Sequence, residues 1–255
     1  MFIVAALTDR SILRALAIVL TFLVAGIVKG VTGMGLPTIA MGLLGSVMPP
    51  VDAASLLIAP SFVTNIWQLF AGPNVVALAS RLRLMLLGIV VGTIAGSWIL
   101  SRDRDGWTVM GLGAALMVYA VISLLNRKLS VPPRTERQLS PFIGLVTGLM
   151  TGGTGVFVIP AVPYLQALSL NRDDLIQALG LSFTVSTIAL AIGLAKDGVF
   201  QGEGIGVSVL AILPALLGMW LGQRIRRRVS LAAFRRWFLI CLLALGLQLL
   251  LRPFF

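Results

Sequence analysis

Apolar residues fill this chain in long runs, and the polar positions between them come in short bursts. Ala53–Ser80, Leu84–Leu100, Gly106–Leu125, Gln138–Asn171, Leu175–Ala195 and Gly204–Gln223 contain no Asp, Glu, Lys or Arg. A membrane-spanning helix needs roughly 17–25 mostly apolar residues, and each of these intervals is long enough. Within one of them a polar stripe recurs: Ser61, Thr64, Asn65 and Gln68 fall at i, i+3, i+4 and i+7. That spacing puts all four on one face of a helix. Later in the chain Gln177, Thr184, Ser186 and Thr187 offer a comparable face.

The runs are also interrupted by glycine. "KGVTGMGLP" (Lys29–Pro37) and "GGTGVFVIP" (Gly152–Pro160) both break a helix. Sliding the chain on itself by 122 residues superimposes "LVAGIVKGVTG" (Leu23–Gly33) on "LVTGLMTGGTG" (Leu145–Gly155), with six of eleven positions identical. The same offset pairs Asp52 with Asp174, Trp98 with Trp220 and Arg102 with Arg224. Rare residues are matched as well as common ones, so the chain reads as a duplication. Repeat one covers 1–126 and repeat two 140–255, joined by a basic, proline-bearing linker at 127–139.

Each repeat predicts a long glycine-broken segment, 12–47 or 140–169, and then three spans. The spans are placed near 51–71, 82–100, 106–125, 173–195, 204–223 and 233–251. Thirty residues of helix reach roughly 45 Å, too long for one crossing and short for two. A helical hairpin that enters and leaves on one side fits. With hairpins, the loops at 72–83, 126–139, 169–174 and 223–236 share a face that carries 13 basic residues against 6 on the other. With single crossings that bias disappears. Short cytoplasmic loops are the basic ones, so both termini are expected in the periplasm. A hairpin plus three spans is an odd number of crossings, so the second repeat is inverted. The expected fold is an all-α integral membrane protein of two inverted repeats.

Composition sharpens this. The chain is 58% hydrophobic and 11% charged, where a soluble domain would carry about a quarter charged residues. The net charge of +11 sits in inter-helix loops and sets orientation, so the lipid bilayer is the expected partner and nucleic acid is not. There is no histidine, and Cys241 is the single cysteine. Disulfides, metal-ligand spacing and most general-base chemistry are thereby excluded. No cofactor is implied, and an enzyme is not expected. Arg10 and Arg14 before an apolar run imitate a signal peptide, but no small-x-small cleavage site leads into a polar region, so the segment is read as retained.

Irregular backbone at membrane depth must line a cavity or be buried in protein. Half-helices restarting at Leu36 and Val158 would aim free N–H groups into the break, where anions bind. The candidate substrate-binding set is Lys29, Gly30, Thr32 and Gly33, with Thr151, Gly152, Gly153, Thr154 and Gly155 at the second break. Asn65, Gln68, Thr184 and Thr187 join it from the polar faces. The competing reading is that the glycines only permit close helix packing. Lys29 is the only charge in Ala15–Val51 and is matched by neutral Thr151. A cation inside the membrane marks a functional site by default, with a lysine snorkelling to the interface as the alternative. It predicts a small anionic substrate. All nine acidic residues fall at helix ends or in loops, and Asp52 and Asp174 are read as capping their helices and complementing the helix dipole. No mid-span carboxylate is left for proton coupling, so potential-assisted anion export is expected.

"VKGVTGMGLPTIAM" and "MTGGTGVFVIPAVPYLQALSLNRDDLIQALGLSFTVSTIALAIG" resemble the TauE/SafE family of membrane transporters, the sulfite exporters. The resemblance covers nearly the whole chain. It implies a multi-pass permease of the bacterial inner membrane, exporting sulfite, sulfoacetate or a related sulfur anion. An anion channel and a non-transporting scaffold subunit are the alternatives, and a homodimer is compatible with either.

Overall fold

A computed structural model describes residues 2–102, 106–125, 130–199, 202–226 and 228–252. The first part of the expected linker, with Arg127 and Lys128, lies outside them. The described residues form helices and no strands: α1 (Phe2–Thr32), α2 (Leu36–Gly45), α3 (Pro50–Leu69), α4 (Val75–Arg102), α5 (Trp107–Leu124) and α6 (Pro133–Thr154). Then follow α7 (Ala161–Ala167), α8 (Arg172–Lys196), α9 (Gly202–Leu210), α10 (Ile212–Ile225) and α11 (Leu231–Leu251). Among the described residues six segments are long and apolar enough to cross a membrane: 12–32, 75–102, 107–124, 172–196, 205–225 and 232–251. Polar side chains dilute α3, and α6 starts inside the segment read as linker.

Each broken segment is a long helix followed by a short one. In the first, α1 is followed by an α2 of 10 residues, roughly 15 Å, which packs back on α1. In the second, α6 is followed by an α7 of only 7 residues. The second half-helix starts at Ala161, three residues later than expected. Pro160 disfavours helical backbone at Ile159 and becomes the residue preceding the helix. Gly33 (φ 80°) and Gly155 (φ 71°), equivalent under the repeat offset, both adopt the left-handed conformation that closes a helix.

Helix pairing follows glycine. Gly88, Gly92 and Gly96 of α4 abut the backbone around Gly144, Gly148 and Gly152 of α6, in that order. Gly26 and Gly30 of α1 abut α10 around Gly218 and Gly222. Small residues every fourth position let backbones approach closely, and both pairs run parallel. By the repeat offset α1 corresponds to α6 and α10 to α4, so each half lends its broken helix to the other half. The remaining equivalents pack on themselves: α3 on α8 and α5 on α11.

Named contacts fix the directions. Asn65 meets Thr187, Leu69 lies by Gly180, and Gly72 by Gln177, so α3 and α8 are antiparallel. Gly113 lies by Leu249 and Met117 by Gly246, so α5 and α11 are antiparallel too. Lys29 meets Thr64, and Gln68 meets Gly33, so α1 runs parallel to α3. Gly193 lies against Ser97, and the Ser101 hydroxyl donates to Asp197, so α8 runs parallel to α4. These directions bring Arg81, Arg83, Arg137, Arg172, Arg224 and Arg235 to one end of the bundle. Arg14, Arg102, Lys196 and Arg252 lie at the other, where Arg252 donates to the Gly45 carbonyl (3.1 Å).

Pro60 lies inside α3. It has no N–H, so the Leu56 carbonyl loses its helical donor. The Ser208 hydroxyl of α9 donates to that carbonyl at 2.9 Å and accepts from the Ala59 N–H at 3.2 Å. A neighbouring helix thus repairs the proline, as a membrane interior requires.

Candidate functional site

The first break, α3 and α8 meet at the centre of the molecule. Lys29, three residues before the end of α1, is only 3% exposed. It does not snorkel outward. Its Nζ donates to Thr64 Oγ1 at 3.1 Å and to Asn65 Oδ1. Among the described residues no ion pair includes it. Asn65 Nδ2 in turn donates to Thr187 Oγ1 at 3.3 Å. Asn65 and Thr187 are themselves 122 residues apart. The contact joins two positions that are equivalent under the sequence offset, and Lys29 is hydrogen-bonded to one of them.

Gln68 spans the break. Its Nε2 donates to the carbonyls of Gly33 (2.9 Å) and Ile176 (3.0 Å). Gln177 performs a similar task at the α3–α4 turn, donating to Leu69 and Gly72 and accepting from the Asn74 N–H. Asn171, not Asp174, caps α8, accepting from the Asp174 N–H at 2.8 Å. The Asp174 carboxylate instead accepts from the side chains of Asn74 and Asn171, while Asp52 sits in the first turn of α3.

The other sequence candidates divide. Gly30 and Gly152 are occupied by packing: a side chain on Gly30 would strike Met219 and Gly222, and one on Gly152 would strike Thr93 and Ser97. Both glycines are small because a helix backbone crosses them. Gly33 and Gly153, by contrast, face open space with no atom within 4 Å of where a Cβ would stand. Gly155 packs on Met41. The Thr32 and Thr154 hydroxyls serve their own backbone. Thr32 donates to the Val28 carbonyl (2.8 Å) and accepts from the Met34 N–H (3.2 Å). Thr154 donates to the Met150 carbonyl (2.6 Å) and accepts from the Val156 N–H (3.3 Å). The two breaks therefore share one local design, a threonine that closes the helix before a left-handed glycine. Thr151 and Thr184 also donate to carbonyls of their own helices.

Other buried polar atoms have no partner among the described residues: the hydroxyls of Thr38, Ser61, Thr93, Ser182 and Ser186, and Gln68 Oε1. Unpaired buried polar atoms are rare and call for a reason, such as a water or ligand. Ser61 and Gln68 belong to the stripe on α3. Thr38, in the first turn of α2, and Ser182, whose equivalent is Pro60, gave no sequence signal, because neither is matched in the other repeat. The α2 start has few donors, since Pro37 contributes no N–H.

The sulfite exporter TauE/SafE family model matches residues 18–249. The chain belongs to the TauE/SafE family. No curated protein and no solved structure matches it. Family membership and six apolar helices make this TauE/SafE protein a multi-pass membrane protein of a transporter family. The matched region includes both breaks, Lys29, and the Asn65–Thr187 pair.

Proposed function

We propose that this TauE/SafE protein exports a small sulfur-containing anion, sulfite-like or sulfoacetate-like, through the centre between two inverted repeats. The carrying observation is Lys29: a buried amine without a carboxylate, hydrogen-bonded to one of a touching pair of repeat equivalents. The antiparallel run of α3 on α8 and of α5 on α11 supports inversion, since each pair consists of repeat equivalents. Inverted repeats with a site at their interface are a recurring carrier architecture. Burial of Lys29, Thr64, Asn65 and Thr187 describes a centre closed to both sides, which supports a carrier over a channel. The bundle end that gathers the arginines is the cytoplasmic one by the positive-inside rule. Both termini are then periplasmic, and the membrane is the bacterial inner membrane.

No acidic residue lies near Lys29 in sequence, the nearest being Asp9. Export then needs no carboxyl proton. An inside-negative potential favours anion exit by about 2.3 kcal/mol per charge per 100 mV. Proteoliposomes test this with sulfite, sulfate, thiosulfate, sulfoacetate, taurine and simple carboxylates. Flux of a sulfur anion should follow an imposed potassium diffusion potential and ignore a pH gradient. Flux of cations alone, or none with any anion, overturns the reading, and single-channel currents reassign it to a channel.

Gly153 separates solute space from packing space. Its backbone is helical and its Cβ position is open, so Gly153→Ala should keep or slightly raise the melting temperature. If the open space holds the anion, flux in the same vesicles falls severalfold. Unchanged flux removes Gly153 from the site.

A further inference from the structure

At the arginine-rich end, the parallel helices α4 and α6 part above their first glycine contact, Gly88 against Pro141 and Gly144. A cleft of about 410 Å³ opens there, lined by Ser80, Arg81, Arg83, Leu84, Glu136, Arg137 and Ser140. Arg81 and Glu136 form a two-pronged pair at 2.7 and 2.8 Å. Arg81 also reaches the Leu168 carbonyl at 3.4 Å. This pair cancels its own charge and clamps α4 to α6. Ser140 shares a 2.7 Å hydrogen bond with Tyr164, whose hydroxyl also donates to the Glu136 carbonyl (3.1 Å), so the wall is built and braced. Arg83 and Arg137 remain, exposed and in no ion pair or hydrogen bond among the described residues. The cleft thus holds two uncompensated guanidinium groups on a fixed frame.

The surface towards the membrane centre is apolar. Leu87 and Val91 follow Arg83 on successive turns of α4, and both are exposed. Phe142, Leu145 and Leu149 form a second exposed strip on α6. Paired cations above two apolar strips match a molecule with an anionic head and hydrocarbon tails. Guanidinium forks suit phosphate oxygens, and basic pockets between membrane helices on the cytoplasmic side hold acidic head groups.

We infer that the α4–α6 cleft is a phosphate-binding site, formed by Arg83 and Arg137, for the head group of an anionic phospholipid. It is independent of the transported anion, because it involves neither Lys29 nor either break.

The test uses the full-length protein in detergent with phosphatidylglycerol, phosphatidylcholine and inorganic phosphate as probes, read by native mass spectrometry and thermal unfolding. Phosphatidylglycerol should bind and stabilise, and the double variant Arg83→Ala/Arg137→Ala should bind it about 30-fold more weakly. Lipid-free unfolding should be unchanged in that variant, because the Arg81–Glu136 clamp remains. Stabilisation by inorganic phosphate alone, lost in the variant, keeps the phosphate site and assigns it to a soluble source. Equal binding of phosphatidylcholine, or wild-type affinity in the variant, overturns the proposal. Should the variant not fold, salt decides on the unchanged protein. A head group held by arginines is released by raised ionic strength, and retention of phosphatidylglycerol regardless of salt overturns the site.

Discussion

Lys29→Gln is expected to abolish most anion flux while leaving the protein as stable as before, or more so. The amide is long enough to keep a hydrogen bond towards Thr64 or Asn65, yet it brings no charge. A hydrogen bond to an ionic group contributes about 1.5–3 kcal/mol, so a carrier that uses the amine on its anion should slow roughly 10- to 100-fold. Stability moves the other way. A buried amine without a carboxylate is costly to hold, and its removal relieves that cost. Lys29→Met should raise the melting temperature by about 2–4 °C for each kcal/mol regained. Loss of flux with stability kept is the signature of a residue retained for function. Full flux in Lys29→Gln vesicles would sink the role given to the amine, whereas a lower melting temperature with no flux would make Lys29 structural.

Gly148→Val should prevent accumulation of folded protein. At Gly148 even a single methyl would stand 2.7 Å from the Thr93 nitrogen and 2.8 Å from the Gly92 Cα, and closer still to the Ile89 carbonyl. These are backbone atoms of a helix and cannot swing aside like a flexible side chain. Overpacking a core costs about 1–3 kcal/mol where side chains yield, and here valine would have to push a whole helix off its partner. Fluorescence-detected size exclusion should show aggregate or no protein. Gly206, with no atom within 4 Å of its Cβ position, is the control, and Gly206→Ala should elute and melt like the parent. A monodisperse Gly148→Val protein with unaltered melting would refute the close α4–α6 contact.

Much of the architecture was legible in the sequence. The repeat offset, the two breaks, the solitary charge and the stripe on α3 follow from spacing and composition, which local geometry obeys. Partner choice does not. Self-similarity shows that α1 equals α6, but not that α1 packs against the equivalent of α4. The four-residue glycine spacing at 88, 92 and 96 carried that message, yet glycine serves both a break and a contact, and only the facing helix decides. Gly30 and Gly152 illustrate this: read with the site, they lie in helix contacts. Thr32 and Thr154 had the right chemistry for a pocket, but a hydroxyl at a helix end finds its own backbone first. Thr38 and Ser182 lacked any matching residue in the other repeat, so nothing distinguished them from ordinary polar positions.

The exchange of broken helices between halves has a consequence for how such a molecule is made. With α1 held by α10 and α6 by α4, neither half has a complete interior of its own. The first half synthesised must leave the glycine edges of α1 and α4 against lipid until α6 and α10 arrive. The repeat seen in the sequence is therefore not a unit of assembly. The two halves depend on each other through the glycines that join α1 to α10 and α4 to α6.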